Sequence, residues 1–207
     1  FTHGIRLEQA QDYIFDKKLP YWIIYRDAEF DSVCKQLDFN VFKVFRDRQI
    51  TNKLLSDAGD IRVLKSRNIS DDGKDVIDID GYDSYISYNE ARSLSVFEYL
   101  HREDVYLTPN MTYKPRVMRK PKDTLVNGSL AILVPKGQII PTEAQLEYFS
   151  TPQYRDFYQV ARNYQTRSLN VDACSVFFYG LLRENEKAVP IAEKLDEQEN
   201  VQISMFH

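Results

Sequence analysis

Ile61, Val63 and Leu64 are followed at once by Lys65, Ser66, Arg67 and Asn68. The apolar spacing predicts a short strand, and the polar stretch 70–73 predicts the turn that ends it. The four residues between them all carry hydrogen-bond donors. A strand that runs out into donors presents them rigidly to a partner that is anionic and can be read at its edge. A second run, 46–53, gathers Arg46, Arg48, Gln49, Asn52 and Lys53. A third, 110–122, interleaves Asn110, Lys114, Arg116, Arg119 and Lys120 with prolines that hold it extended. A shorter run, 163–170, adds Gln165 and Arg167. Arg and Lys pair with guanine edges and Asn and Gln with adenine, while lysines also take phosphates. On that logic Lys43, Lys114 and Lys120 are assigned to phosphates, and Arg48, Gln49 and Asn68 to base edges. Each run alone reads equally well as a solvated loop. The set points to duplex DNA.

The chain has 207 residues and a net charge of −4, which by itself argues mildly against a nucleic-acid partner. The distribution argues the other way. Basic residues dominate 43–67, and 114–122 holds five of them with no acid. The acids collect in 71–83 and in 184–199, as expected for a molecule with one positive face. No apolar run is long enough to span a bilayer and no leader pattern opens the sequence, so a cytoplasmic protein is expected. Cys34 and Cys174 both have apolar neighbours and read as buried, reduced thiols.

The elements that must position these runs follow from periodicity and caps. Residues 7–18 read as a short amphipathic helix, 21–25 as a strand, and 28–37 as a helix with Phe30, Val33, Cys34 and Leu37 on one face. Strands are expected at 41–45, 61–65, 76–79, 82–86, 105–107, 130–134 and 176–182. Ser87 with Glu90 and Thr142 with Gln145 form capping boxes, and Thr151 with Pro152 opens a helix carrying Tyr154, Phe157, Tyr158, Ala161 and Tyr164. That stripe reads as core. The division expected is a helix-strand-helix piece, or a connection to a missing catalytic domain, over 1–39, a recognition domain over 40–183 and an acidic helical tail over 184–207. Phe1 in place of an initiator Met leads to the expectation of a fragment of a longer chain. The fold class is α+β, a twisted, largely antiparallel sheet flanked by helices.

Catalytic chemistry finds little support. Seven glycines never form a dinucleotide or phosphate loop, and three histidines and two cysteines lie far apart. There is no hydrolase elbow, zinc-protease motif or Glu-x-Lys pair of the common metal-dependent nucleases. Asp75, Asp78, Asp80 and Asp83 could hold a cation, but alternating Asp around a tight turn is usually a solvated edge. No catalytic or metal-ligating residue is therefore assigned.

The order of segments resembles target-recognition domains of restriction-modification systems. The strand Ile61 to Leu64 with its Lys-Ser-Arg-Asn-Ile continuation is followed by a capped helix, then Asp104-Val-Tyr-Leu-Thr, Asn127-Gly-Ser-Leu-Ala-Ile-Leu-Val-Pro-Lys136 and Tyr148-Phe-Ser-Thr-Pro-Gln-Tyr-Arg-Asp-Phe-Tyr158. This progression is similar to type I specificity subunits. Phe45-Arg-Asp-Arg-Gln-Ile-Thr51 and Gln165-Thr-Arg-Ser-Leu-Asn170 are more similar to the specificity region of type II N6-adenine DNA methyltransferases. The resemblance covers about 40–182, although type I subunits carry two such units and this chain fits one. It implies a domain that reads double-stranded DNA for a separate catalytic domain, which binds S-adenosylmethionine and carries an Asn/Asp-Pro-Pro-Tyr/Phe motif. This sequence contains neither that motif nor a glycine-rich cofactor loop, so no cofactor is expected here. The rival from another class is a protein-interaction domain, using the Tyr-rich helix and the acidic tail.

Overall fold

The apolar run 130–134 decides the architecture. An uninterrupted apolar strand needs both faces covered, and the computed structural model, which describes residues 8–165 and 170–183, covers them with two separate cores. Strand β8 is Leu130–Pro135 and lies between β2, Phe42–Phe45, and β5, Tyr106–Pro109, with β6, Met118–Arg119, beyond β5. Alternate residues feed alternate cores, as strand geometry requires. Ala131 and Leu133 enter the first core together with Phe42 and Tyr106, whereas Leu130 and Ile132 enter the second with Leu107 and Met118. This four-stranded sheet is the wall between the two cores.

The first core is aromatic. Helix α2, Ala28–Gln36, is capped by Asp27, which accepts from the Phe30 amide at 2.8 Å. Its Phe30 stacks on Phe157 of α5, Pro152–Ala161, with ring centroids 4.9 Å apart. Tyr154 donates its hydroxyl to the Phe178 carbonyl at 3.1 Å. Strand β1, Leu37–Asp38, pairs with β9, Leu181–Leu182, and α4, Glu143–Tyr148, closes one side under its Thr142 capping box. Ile23, Phe30, Val33 and Leu37 thus share one core with Tyr154, Phe157, Phe178 and Leu181. Residues of the stretch 1–39, as far as it is described, therefore pack in the same core as residues of 40–183.

The second core fills the space under a three-stranded sheet in which β3, Ile61–Leu64, lies between β4, Ser84–Ile86, and β7, Thr124–Val126. The pairing of β3 with β7 is parallel, and the other strand pairings among the described residues are antiparallel. The fold is α+β with largely antiparallel sheets, and no described sheet closes into a barrel. Three small sheets stand where a single one was expected.

Several local expectations are corrected by side chains that compete for the backbone. Among the described residues of 7–18, only α1, Gln11–Ile14, is helical; past it Asp16 accepts from the Lys18 amide at 2.9 Å and turns the chain. Residues 21–25 form no strand. The amide of Asn163 takes their place as partner, donating to the Trp22 carbonyl at 2.8 Å and accepting from the Ile24 amide at 2.7 Å. At 76–79 only a single bridge, Ile69 to Val76, survives, because Asn68 claims the Ile77 carbonyl. The helix from Ser87 breaks into α3, Tyr88–Ala91, and a 3-10 turn, Ser95–Tyr99. At 176–182, Asp172 accepts from the amides of Cys174 and Ser175 and starts a 3-10 turn, Ser175–Phe178, ahead of β9. Cys174 is exposed, not buried, and Cys34 is half-buried. The expected tail, 184–207, lies outside the described residues.

Candidate nucleic-acid interface

Strands β3 and β7 both end beside the turn 127–129, where β8 begins and β5 finishes. The turn is a junction for the donor-rich loops. Ser129 accepts from the Ser66 amide at 3.0 Å, and the Asn127 amide donates to the Leu64 carbonyl at 3.3 Å, so the 65–68 segment is held from two sides. The Ser129 carbonyl accepts from the Asn110 amide at 2.9 Å, bringing in the third run. Gly128 admits the second run: a Cβ there would stand 2.9 Å from the carbonyl oxygen of Asp47. Asp47, buried, then accepts from the amides of Gln49 and Ile50 at 3.2 and 2.8 Å, which sets the direction in which 48 and 49 leave the junction.

Buried residues fix these loops, and four of them are among those that the sequence assigns to DNA. Asn68 is fully buried; it accepts from the Lys65 amide at 2.9 Å and donates to the Ile77 carbonyl and to Asp83 at 2.9 and 2.6 Å. Asn110 donates to Gly128 and Asn170 and accepts from the Val171 amide. Arg116 is buried, with its guanidinium donating to the carbonyls of Lys114, Ser66 and Ile69 at 3.2–3.3 Å. Burial pulls its pKa down, with Asp71 opposing. Lys120 is 1% exposed and caps the Leu100 and Pro121 carbonyls at 3.0 and 2.9 Å. A side chain that is buried and bonded to groups inside the fold presents no donor to an outside phosphate. Asn68, Asn110, Arg116 and Lys120 are therefore braces of the surface and are withdrawn from its contacts.

Of the rest, Arg48, Arg67, Lys114 and Gln165 are exposed and Arg46 is half-buried, all on loops that the junction brings together. The third and fourth runs meet where the Tyr113 hydroxyl donates to the Gln165 carbonyl at 3.2 Å. Gln49 is exposed too, but its side-chain oxygen already accepts from the Ser95 amide at 2.7 Å. Asn52 and Lys53 ride a 3-10 turn, Asn52–Leu54, that leads away toward Ser56 and its bridge to Tyr85. Lys65 is partly spent on the Tyr82 carbonyl and on Ser84. Its Nζ sits 3.9 Å from the centre of the Tyr82 ring, with the Arg67 guanidinium 4.8 Å from the same ring. Burial lowers the Lys65 pKa, Asp83 offsetting part and Arg67 adding to it. Lys43 and Arg119 fall at the other ends of their strands, opposite Val134 and Tyr106. Arg167 lies outside the described residues.

Ion pairing separates the two kinds of basic residue. Arg26, Arg62, Lys74, Arg102, Arg155 and Arg183 each pair with a carboxylate. Arg46, Arg48, Lys53, Arg67, Lys114 and Arg119 pair with no acidic side chain among the described residues. The Asp78 and Asp83 carboxylates are occupied by Arg62 at 2.6 and 2.9 Å, and no described group of His, Cys, Asp or Glu is arranged to hold a metal ion. The aromatic face of α5 is buried in the first core, and of its stripe only Tyr164, beyond the helix, is exposed. Among the described residues no helix is long and apolar enough to cross a membrane.

Lys120 gives the domain a measurable pH signature. Burial pushes its pKa down from 10.5 to about 8, with Asp123 and Glu103 opposing. The unfolded chain therefore binds a proton that the folded one lacks between pH about 8 and 10.5, and stability climbs with pH across that window. The Cys34 thiol, pushed up by burial from 9.0 to about 12, opposes the climb from about pH 9, and Tyr21 and Tyr148, also raised to about 12 by burial, make stability fall as pH rises past about 10. Urea melts across this range should show a climb followed by a fall. Lys120→Met should flatten the climb and leave the fall; a climb preserved in that variant would exclude Lys120 as its source.

No protein-family model matches the chain, and no curated protein matches it in sequence. The sequence missed the turn 127–129 as an organiser. Its signal was the Asn127, Gly128, Ser129 run, which reads in isolation as no more than a strand entry.

Proposed function

We propose that this chain is the sequence-reading domain of a restriction-modification adenine-N6 DNA methyltransferase. It binds one face of duplex DNA in the cytoplasm, for a catalytic domain outside this sequence that binds S-adenosylmethionine and flips and methylates the adenine. The observation that supports this reading is the junction at 127–129, which gathers loops from four distant parts of the chain and leaves Arg46, Arg48, Arg67 and Lys114 without described carboxylate partners. Arg46, Arg48, Arg67 and Lys114 neutralise phosphates, and Arg48, with Gln49 and Gln165, also reaches base edges.

Selection from a randomised duplex pool, followed by titration of the winner across a salt series, tests it. Recovery of a defined site is expected, with log affinity falling against log salt at a slope of about −4. Gln49→Ala should relax preference at one position of that site. A flat salt response, or a pool that never converges, would rule out sequence reading and favour a protein partner.

A further inference from the structure

The tip of the 110–117 loop has an unusual composition for a cationic surface. Met111 is 65% exposed and Tyr113 47%, side by side with Lys114. The tip is also braced. Buried Asn110 pins its start to Gly128, Asn170 and Val171, and buried Arg116 pins its end to Ser66 and Ile69. Between these, Thr112 folds the loop on itself, donating to the Lys114 carbonyl at 3.0 Å and accepting from the Lys114 amide at 2.9 Å. The Tyr113 hydroxyl is tied to the Gln165 carbonyl. Two large apolar groups are thus held out into water between two buried polar anchors, Asn110 and Arg116. Ordering them in this way is costly unless something apolar is to be met there.

Charge says what that is. The guanidinium of Arg116 that grips the Lys114 carbonyl also grips the Ser66 carbonyl, so the tip stands beside the turn carrying Arg67. Apolar side chains flanked by cations fit a stack of bases between two phosphate strands. Side chains such as Met enter base steps as wedges, and aromatic rings cover the faces so exposed. Resting on the DNA-reading function above, we infer that the tip is a base-step wedge: Met111 enters between two base pairs, Tyr113 covers the opened face, and Lys114 holds the adjoining phosphate.

The test uses the duplex selected above with 2-aminopurine, a fluorescent adenine analogue, placed in turn at each adenine and beside each step. The wild-type chain should raise fluorescence several-fold at one step, where the base is unstacked. Met111→Ala should abolish that rise and weaken binding by about tenfold while keeping the salt slope. Tyr113→Phe, which loses only the hydroxyl anchor, should retain the rise in part. Both residues are exposed, and unchanged thermal melts would show the variants folded. Salt-dependent binding with no rise at any step, or a rise that persists in a Met111→Ala/Tyr113→Ala double variant, overturns the wedge and leaves sequence reading standing. Absence of binding to any duplex overturns both.

Discussion

Asn68→Asp should cost the domain about 3 kcal/mol or more at neutral pH. Asn68 is fully buried, and its amide nitrogen lies 2.6 Å from the Asp83 carboxylate and 2.9 Å from the Ile77 carbonyl. Replacing that nitrogen by a carboxylate oxygen sets two negative groups against each other and leaves the Ile77 carbonyl without its donor. The new carboxyl titrates above its unfolded value, since burial and Asp83 both oppose its charge. The unfolded chain therefore releases the proton first, and stability falls as pH rises through the ordinary carboxylate range; acid should restore much of it. Asn68→Ala is the uncharged comparison, with a loss of about 2 kcal/mol that does not follow pH in this way. Urea melts at neutral and acid pH separate the two. A neutral-pH midpoint equal to wild type would mean that Asn68 is not the brace described.

A triple variant, Arg48→Ala, Arg67→Ala and Lys114→Ala, should lower affinity for the selected duplex about a hundredfold or more and reduce the salt slope by about three. These residues come from three separate runs, are exposed and have no carboxylate partner among the described residues. Their loss should change stability by less than about 1 kcal/mol, so melting and binding report different things. Lys43→Ala with Arg119→Ala is the control. Both are also exposed and basic, but they sit at the strand ends away from the junction and should leave the slope unchanged. If the control pair weakens binding as much as the triple, charge in general is being measured and the interface is misplaced.

Local spacing in the sequence was enough for the α+β class, the caps at Ser87, Thr142 and Thr151, a helix at 28–37 that forms over 28–36, and strands at 41–45, 61–65 and 130–134 that form over 42–45, 61–64 and 130–135. These depend on neighbours within a few residues, where periodicity and side-chain-to-backbone bonding are legible. The sequence also marked the runs rich in Arg, Lys, Asn and Gln. Which of those side chains face out is settled by the folded chain. Asn68 and Arg48 are equally polar on paper, yet one is sealed against Asp83 and the other is exposed. Lys120 and Lys114 differ in the same way. The failed strand at 21–25 has the same origin, an amide at Asn163 more than a hundred residues away. Burial and long-range hydrogen bonds are properties of pairs distant in the chain, and residue type states only what a group can bond, not which partner reaches it first.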